Sequence, residues 1–131
     1  MRAKILNASA GSGKTYQLAY KYVRDVIDQP GLYRHILAVT FTNKATEEMK
    51  SRILKEIHRL ASGGASPYLE NLCRELSLDE RSVRKRAAEV RSKILHDYSR
   101  FTVLTIDTFF QRILRAFIKE LGIDLNYNVE I

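Results

Sequence analysis

The sequence predicts an α/β fold in which a parallel β-sheet is flanked by helices. Short apolar runs of strand length alternate with longer segments whose apolar residues recur every three or four positions. Such an alternation of strands and helices is typical of parallel strands joined by crossover helices. The second apolar run is continuous, as in a strand that is covered on both faces. The predicted strands are residues 4–8, 35–41 and 101–106.

The first strand leads through a loop of small residues into the first predicted helix. The apolar positions of this helix are Leu18, Ala19, Tyr22, Val23, Val26 and Ile27. The helix is predicted to end before Pro30 and Gly31, because both residues break helices.

The second strand leads into the second predicted helix. Thr42 or Asn43 is expected to cap it, with Glu47 and Glu48 in its first turn, where negative charge suits the helix dipole. The stretch 62–66, rich in glycine and serine, ends the helix. Its apolar positions are Ala45, Met49, Ile53, Ile57 and Leu60.

Residues 62–98 are interpreted as a helical insertion on this α/β framework. Ser66 is predicted to cap a short helix that has Pro67 as its first residue and runs to Leu76. A capping box over residues 77–80 then opens a second, highly charged helix. Its apolar positions are Val83, Ala87, Val90 and Ile94.

The third strand leads into the last predicted helix. Asp107 or Thr108 is expected to cap it, and Gly122 fits its C-terminal end. Its apolar stripe is Phe109, Phe110, Ile113, Leu114, Phe117 and Leu121.

Composition and charge exclude several classes of protein. The 131 residues suffice for one domain or a part of one, and no apolar run approaches the roughly 20 residues that span a bilayer. The N-terminus lacks a signal-peptide core, and the single cysteine, Cys73, rules out an internal disulfide. We therefore expect a cytoplasmic protein without a membrane partner. The net charge of +7 suggests a polyanionic partner. The densest basic group, within 81–100, is either a solvated helix face or a phosphate-contacting one.

Residues 11–15, Gly-Ser-Gly-Lys-Thr, follow a predicted strand and open a predicted helix, as a phosphate-binding loop does. The glycines let backbone N–H groups point at an anion, and the helix start adds free donors. In this pattern Lys14 contacts the β- and γ-phosphates and the Thr15 hydroxyl coordinates Mg²⁺. The general pattern has glycine where this chain has Ala8. The motif predicts binding of a nucleoside triphosphate without choosing among ATPases, GTPases, kinases and helicases.

Three segments of the chain carry a family resemblance. They are residues 8–15, residues 36–45 and residues 101–115. In this order they resemble the phosphate loop, motif Ia and the next DNA-contacting segment of superfamily 1 DNA helicases of the UvrD/Rep type. The resemblance is strongest to the RecB/AddA exonuclease–helicase branch, in which alanine at the first loop position is normal. Asp107 stands in a position that is often histidine in the UvrD/Rep branch.

The resemblance implies a P-loop NTPase fold of the RecA-like type, here incomplete, with ATP and Mg²⁺ as cofactors. Lys14 and Thr15 would be the catalytic residues, with Thr15 as the Mg²⁺ ligand. The implied nucleotide-binding residues are Ala8, Ser9, Ala10, Gly11, Ser12, Gly13, Lys14, Thr15 and Tyr16. The implied DNA-binding residues are Thr40, Phe41, Thr42, Asn43, Lys44 and Thr105.

The resemblance also implies that residues 1–131 are the N-terminal part of the first motor domain of a larger protein. That protein would be an ATP-dependent DNA helicase or helicase–nuclease in recombination or repair. Its partners would be single-stranded and double-stranded DNA and a nuclease or recombination subunit. Because the Walker B carboxylates and the second motor domain are not identifiable, the fragment alone is expected to be inactive. Its uncovered apolar surface and open sheet edge are expected to cause self-association.

Two other interpretations stay open on the residues alone. The chain would be a complete small P-loop kinase if Asp107, at the end of an apolar strand, were its Mg²⁺ carboxylate. It would be a nucleic-acid-binding module without turnover if the phosphate loop held a nucleotide only for structural reasons.

Overall fold

The computed structural model describes residues 4–7 and 12–122, with side chains from residue 16 onward. Within these ranges the α/β prediction is confirmed, with strands and helices in the predicted order. The strands are β1 Lys4–Asn7, β2 Ile36–Thr40 and β3 Thr102–Thr105. The helices are α1 Ser12–Asp28, α2 Asn43–Ser62, α3 Leu69–Leu76, α4 Glu80–His96 and α5 Ile106–Glu120, with short 3-10 turns at Pro30–Arg34 and Tyr98–Arg100.

The three strands form one parallel sheet in the order β1-β2-β3. Lys4 of β1 pairs with Ile36 of β2, and Thr40 of β2 pairs with Thr105 of β3. Parallel pairing brings the C-terminal ends of the three strands to one edge, called the carboxyl edge below. Since α1, α2 and α5 each follow a strand, all three helices begin at this edge.

The core lies between the sheet and the helices α1, α2 and α4. Ile36, Ala38 and Val103 supply the sheet side, because alternate residues of a strand face the same way. Residues 62–98 share this core rather than standing apart from it, although their status as an insertion stays a prediction. The buried residues they contribute are Tyr68, Leu72, Val83, Ala87, Val90 and Ile94.

Threonine side chains begin two helices at the carboxyl edge. Thr42 caps α2, since its Oγ1 accepts a hydrogen bond from the backbone N–H of Ala45 at 3.0 Å. Thr105 caps α5, since its Oγ1 accepts from the backbone N–H of Thr108 at 3.3 Å. The prediction that Asp107 or Thr108 caps α5 is therefore wrong. The helix begins directly at the end of β3 and leaves Asp107 in its first turn.

The start of α3 also differs from the prediction. The backbone N–H of Tyr68 donates to Ser66 Oγ at 3.2 Å, which closes a turn before the helix. As a result α3 begins at Leu69, two residues after Pro67.

Two predictions about polar residues near helix starts are wrong. Asp79 caps α4, because its Oδ1 accepts from the backbone N–H of Ser82 at 2.8 Å, whereas Ser77 ends α3 in the left-handed conformation with φ of 53°. Glu47 and Glu48 fall after the first turn of α2, which contains no acidic residue.

The apolar stripe of α5 is largely uncovered in the part of the chain that the structure describes. The helix contacts β2 and β3, yet none of its residues is fully buried. Phe110 and Phe117 are 58% and 57% exposed, and Ile113 and Leu121 are about half exposed. These four residues are called the α5 face below. Across the described ranges, no helix has both the length and the hydropathy to span a bilayer.

Candidate functional site

Three helix N-termini meet at the carboxyl edge of the sheet. The strand that precedes each of them ends at Asn7, Thr40 or Thr105, and register pairs place Asn7 beside Val39 and Thr40 beside Thr105. A helix N-terminus presents backbone N–H groups without intrahelical partners and the positive end of the helix dipole. The backbone alone therefore makes this edge attractive to phosphate groups.

The predicted phosphate loop lies at the first of these N-termini. Residues 8–11 fall outside the described residues, as do the side chains of Ser12 to Thr15. The described backbone has β1 ending at Asn7 and α1 beginning at Ser12, so the strand–loop–helix order of the prediction is present. Lys14 lies in the first turn of α1, which has no acidic residue. A cation there opposes the helix dipole unless an anion is bound nearby, and this arrangement fits a nucleotide phosphate.

Tyr16 is the first side chain of α1 that the structure describes, and three contacts hold it. Its carbonyl oxygen accepts a hydrogen bond from the Tyr68 hydroxyl at 2.9 Å. The rings of Tyr16 and Tyr68 meet edge to face with centroids 5.1 Å apart. The guanidinium carbon of Arg52 lies 5.4 Å from the centre of the Tyr16 ring, within range of a cation–π contact.

The turn between β2 and α2 rests on a buried pair of hydroxyl groups. Thr40 Oγ1 and Thr46 Oγ1 lie 2.6 Å apart, and Thr46 Oγ1 also donates to the Thr42 carbonyl at 3.1 Å. Thr40 is only 1% exposed. The Thr40 side chain therefore lies behind the other predicted DNA-binding residues and holds the turn that presents them.

The residues after this turn form an exposed surface. Phe41 is 49% exposed, and Thr42, Asn43 and Lys44 are exposed beside it at the start of α2. An aromatic ring, a side-chain amide and an ammonium group thus surround a helix N-terminus. These groups can stack on a base and donate to a phosphate, which are the two contacts that single-stranded nucleic acid offers.

Thr105 and Asp107 occupy the start of α5, next to this surface. The Thr105 hydroxyl is engaged in capping, with a further hydrogen bond to Thr108 Oγ1 at 3.0 Å. Asp107 is exposed in the first turn of α5, where a negative charge suits the helix dipole. Among the described residues there is no group of three or more His, Cys, Asp or Glu side chains that could hold a metal ion.

Two arginines of the dense basic group, both on α4, bond to the ends of other helices. Arg84 Nη1 donates to the carbonyl oxygens of Gly64 at 3.0 Å and Leu60 at 3.2 Å, at the end of α2. Arg86 Nη1 donates to the carbonyl of Asp28 at 3.0 Å, at the end of α1. A cation near a helix C-terminus is favourable because it faces the negative end of the dipole. For these two arginines the geometry favours helix capping over contact with a phosphate.

The family described as the UvrD/REP helicase N-terminal domain matches residues 2–131. This chain belongs to that family. The match covers the predicted phosphate loop, the β2–α2 turn and the start of α5 together, so the predicted resemblance is confirmed.

Relatives of this UvrD/REP chain include components of helicase–nuclease enzymes. The RecBCD enzyme subunit RecB of Escherichia coli strain K12 is 31% identical over 119 residues, which cover 85% of this chain and 10% of the relative. A subunit of the ATP-dependent helicase/nuclease of Lactococcus lactis subsp. cremoris strain SK11 is 29% identical over 125 residues, covering 95% of this chain and 9% of the relative. The exonuclease/helicase subunit RexA of strain MG1363 of the same subspecies is 28% identical over 125 residues, which cover 95% of this chain and 9% of the relative. The chain therefore spans about a tenth of the length of these relatives. No solved structure matches it.

Sequence patterns did not reveal the contacts of two residues in this UvrD/REP domain, Tyr68 and Arg84. Tyr68 carries no motif, and its bond to Tyr16 joins residues 52 positions apart. Arg84 was one of many basic residues in a charged helix, and only the structure separates it from its exposed neighbours. The contacts of both residues depend on packing between distant segments, which local spacing does not encode.

Proposed function

We propose that this chain supplies the ATP phosphate loop and part of the single-stranded DNA path of an ATP-dependent DNA helicase or helicase–nuclease. The full-length parent would translocate on DNA and unwind it in recombination or repair. The observation that carries this proposal is the meeting of three helix N-termini with the exposed Phe41–Lys44 surface at one edge of the sheet.

The nucleotide would bind at the start of α1, on residues 8–16. Backbone N–H groups of the loop and of the helix N-terminus would surround the phosphates, and Lys14 would neutralise charge on the β- and γ-phosphates. The Thr15 hydroxyl would hold Mg²⁺, which supplies positive charge to the triphosphate when bound. The first turn of α1 suits this role, because it contains Lys14 and no carboxylate.

Single-stranded DNA would run across the starts of α2 and α5. The exposed ring of Phe41 would stack on a base, and stacking tolerates any base because every base has a π-face. Asn43, Lys44 and the free N–H groups of both helix starts would contact phosphates. Thr105 would contribute at the α5 start while it caps the helix, and Thr40 would act from behind by holding the β2–α2 turn.

The common edge offers a physical route from ATP to DNA. β2 pairs with β1, which leads into the phosphate loop, and with β3, which leads into α5. A change in the position of α1 would therefore act on the same three-stranded sheet that carries the DNA-facing turn. In the parent, ATP would bind between this motor domain and a second one, and opening and closing of that cleft would move the DNA.

The partners and location follow from the same proposal. The parent would act on single-stranded and double-stranded DNA in the cytoplasm, together with a nuclease or recombination subunit. RecB, the relative described above, is named as a subunit of the RecBCD enzyme. The isolated chain would hydrolyse ATP poorly, and the α5 face would make it self-associate.

The deciding experiment measures ATP hydrolysis by the full-length protein with and without single-stranded DNA. We expect DNA to stimulate hydrolysis and Lys14→Ala to lower the stimulated rate roughly 100-fold, the loss typical for one charge-stabilising group. Lys21→Ala is the matched control, because Lys21 is an exposed lysine further along α1. Its rate should stay within twofold of wild type.

Two results would replace this proposal with an alternative. Rapid phosphotransfer to a small molecule by the 131-residue chain without DNA would favour a small kinase with Asp107 as its Mg²⁺ carboxylate. Salt-sensitive DNA binding, with no effect of Lys14→Ala on hydrolysis or affinity, would favour a nucleic-acid-binding module without turnover.

A further inference from the structure

Tyr68 is a buried tyrosine in the short connection between α2 and α3, and it is only 1% exposed. Its hydroxyl donates to the carbonyl oxygen of Tyr16 at 2.9 Å. Tyr16 directly follows Thr15, in the second turn of the helix that the phosphate loop opens. The connection after α2 is thus bonded to the backbone at the base of the predicted nucleotide site.

The Tyr68 ring strengthens this attachment through two further contacts on α1. Its centroid lies 5.1 Å from that of Tyr16 and 5.2 Å from that of Tyr20, with interplanar angles of 71° and 74°. Tyr16 and Tyr20 are four residues apart and share one face of the helix. Edge-to-face pairs of this kind contribute beyond simple burial. Tyr68 therefore contacts two successive turns of α1 and restrains the rotation and tilt of its N-terminal end.

Arg52 of α2 approaches Tyr16 as well. Its guanidinium carbon lies 5.4 Å from the centre of the Tyr16 ring. Tyr16 is consequently held at its backbone by Tyr68 and at its ring by both Tyr68 and Arg52. The residue next to the predicted Mg²⁺ ligand thus has little freedom to move independently of α2.

Tyr68 is itself fixed in place and keeps its proton. Its backbone N–H donates to Ser66 Oγ at 3.2 Å, and its carbonyl accepts from the N–H of Leu72 at 2.9 Å. Burial raises the pKa of the Tyr68 hydroxyl above its ordinary value of 10, so the group stays a hydrogen-bond donor throughout the physiological pH range. The hydroxyl can therefore donate this hydrogen bond at any pH at which ATP binding would be measured.

We propose that Tyr68 is a positioning residue for ATP: its hydrogen bond to the Tyr16 carbonyl sets the position of the first turn of α1, and with it Lys14 and Thr15. This inference rests on the proposed function, because it assumes that residues 8–16 hold the nucleotide. It assigns to the connection after α2 a role in nucleotide affinity. Tyr68 does not touch the nucleotide and acts only through α1.

The test compares Tyr68→Phe with Tyr22→Phe in the full-length protein. Tyr68→Phe keeps the ring and removes only the hydroxyl that bonds to Tyr16. Tyr22→Phe is the matched control, since its hydroxyl is buried on the same helix and has no hydrogen-bond partner in the described part of the chain. We measure KM for ATP and kcat of DNA-stimulated hydrolysis, together with the urea midpoint of unfolding.

We expect Tyr68→Phe to raise KM for ATP about fivefold, the change expected from one neutral hydrogen bond. The kcat at saturating ATP should change less than twofold, because the loop position affects bound substrate and transition state alike. Tyr22→Phe should leave both constants unchanged. Ser66→Ala, which releases the Tyr68 backbone without touching α1, should raise KM in the same direction by a smaller factor.

An unchanged KM in Tyr68→Phe and Ser66→Ala would overturn the proposal, whatever happens to the urea midpoint. An equal rise in Tyr22→Phe would also overturn it, because the effect would then come from general loosening of α1. The Lys14→Ala variant distinguishes failure of the proposed function from failure of the role assigned to Tyr68. If Lys14→Ala abolishes hydrolysis while Tyr68→Phe has no effect on KM, the proposed function stands and the role of Tyr68 fails. If Lys14→Ala has no effect, the proposed function itself fails.

Discussion

Thr40 and Thr105 are partners in the parallel register of β2 and β3, and each is the last residue of its strand. Thr40 bonds to Thr46 within α2, and Thr105 caps α5. Paired residues 65 positions apart in the chain thus lie close to the starts of two helices, since α2 begins three residues after Thr40 and α5 begins directly after Thr105. The exposed surface that starts at Phe41 therefore follows directly from a paired strand end. Its position is set by the sheet and does not depend on a long loop.

The first prediction concerns Phe41 and the proposed DNA path. Phe41→Ala should weaken binding of single-stranded DNA by the full-length protein roughly 5- to 160-fold, because stacking contributes about 1–3 kcal/mol per base. Phe41→Tyr keeps an aromatic face and should bind within about twofold of wild type. Fluorescence anisotropy with a labelled oligonucleotide at fixed salt measures both.

Tyr98→Ala is the control for Phe41→Ala. Tyr98 is half exposed and precedes β3, so it lies toward the amino ends of the strands. DNA affinity should be unchanged in this variant. Equal losses in Phe41→Ala and Tyr98→Ala would show that the effect is not specific to the carboxyl edge.

The second prediction concerns Arg84, which joins α4 to the end of α2. Arg84→Lys should lower the free energy of unfolding by about 1 kcal/mol, because a lysine cannot reproduce a planar fork that reaches the Gly64 and Leu60 carbonyls while bonding to Glu80. Arg81→Lys, at an exposed position on the same helix, should change it by less than about 0.5 kcal/mol. Urea unfolding followed by circular dichroism provides both values. Equal stability of the two variants would contradict the capping role.

The sequence predicted the parts of the fold that depend on local pattern. Strand 36–40 is a continuous apolar run, and the apolar positions of α1, α2 and α4 recur at helical spacing, so these elements appear where they were predicted. The order of strands and helices then restricts the topology to a parallel sheet. The candidate site was predicted by other means, the phosphate loop from the Gly-Ser-Gly-Lys-Thr motif and the DNA-binding residues from the family resemblance.

Choices between neighbouring polar residues, and contacts across long distances, could not be predicted in this way. Asp79 rather than Ser77 caps α4, because Ser77 is needed in a left-handed conformation to end α3. Thr105 caps α5 because it is the last residue of β3 and the helix starts at the next residue. The contact of Tyr68 with Tyr16 depends on how the connection after α2 packs against α1, and no local spacing encodes that packing.

The third prediction concerns pH and Asp79. Hydrogen bonds from the Ser82 side chain and from its backbone N–H hold the pKa of the Asp79 carboxyl below its ordinary value of 3.8. A lowered folded-state pKa means that Asp79 stabilises the fold above about pH 4, and that this contribution is lost as the pH falls through the folded-state pKa. Asp79→Asn keeps a capping oxygen but cannot titrate, so its stability should fall less between pH 5 and pH 2 than that of wild type.

Urea midpoints of wild type, Asp79→Asn and Asp79→Ala at several pH values measure this effect. At pH 7 Asp79→Asn should unfold close to wild type, and Asp79→Ala should unfold at lower urea because it has no cap. A wild-type midpoint that falls with pH no more than that of Asp79→Asn would rule out a role for the Asp79 carboxylate.

The last prediction concerns the α5 face and self-association of the 131-residue chain. Phe110, Ile113 and Phe117 are about half exposed, and an apolar helix face of this kind is stabilised when a second copy covers it. Phe117→Asp places a charge within that contact and should shift the chain toward monomer at every concentration tested. Leu95→Asp is the matched control, since Leu95 is a 72% exposed apolar residue on a different helix, α4. Size-exclusion chromatography with light scattering measures the mass. A wild-type chain that stays monomeric at all concentrations, or equal shifts in the two variants, would exclude the α5 face as the contact.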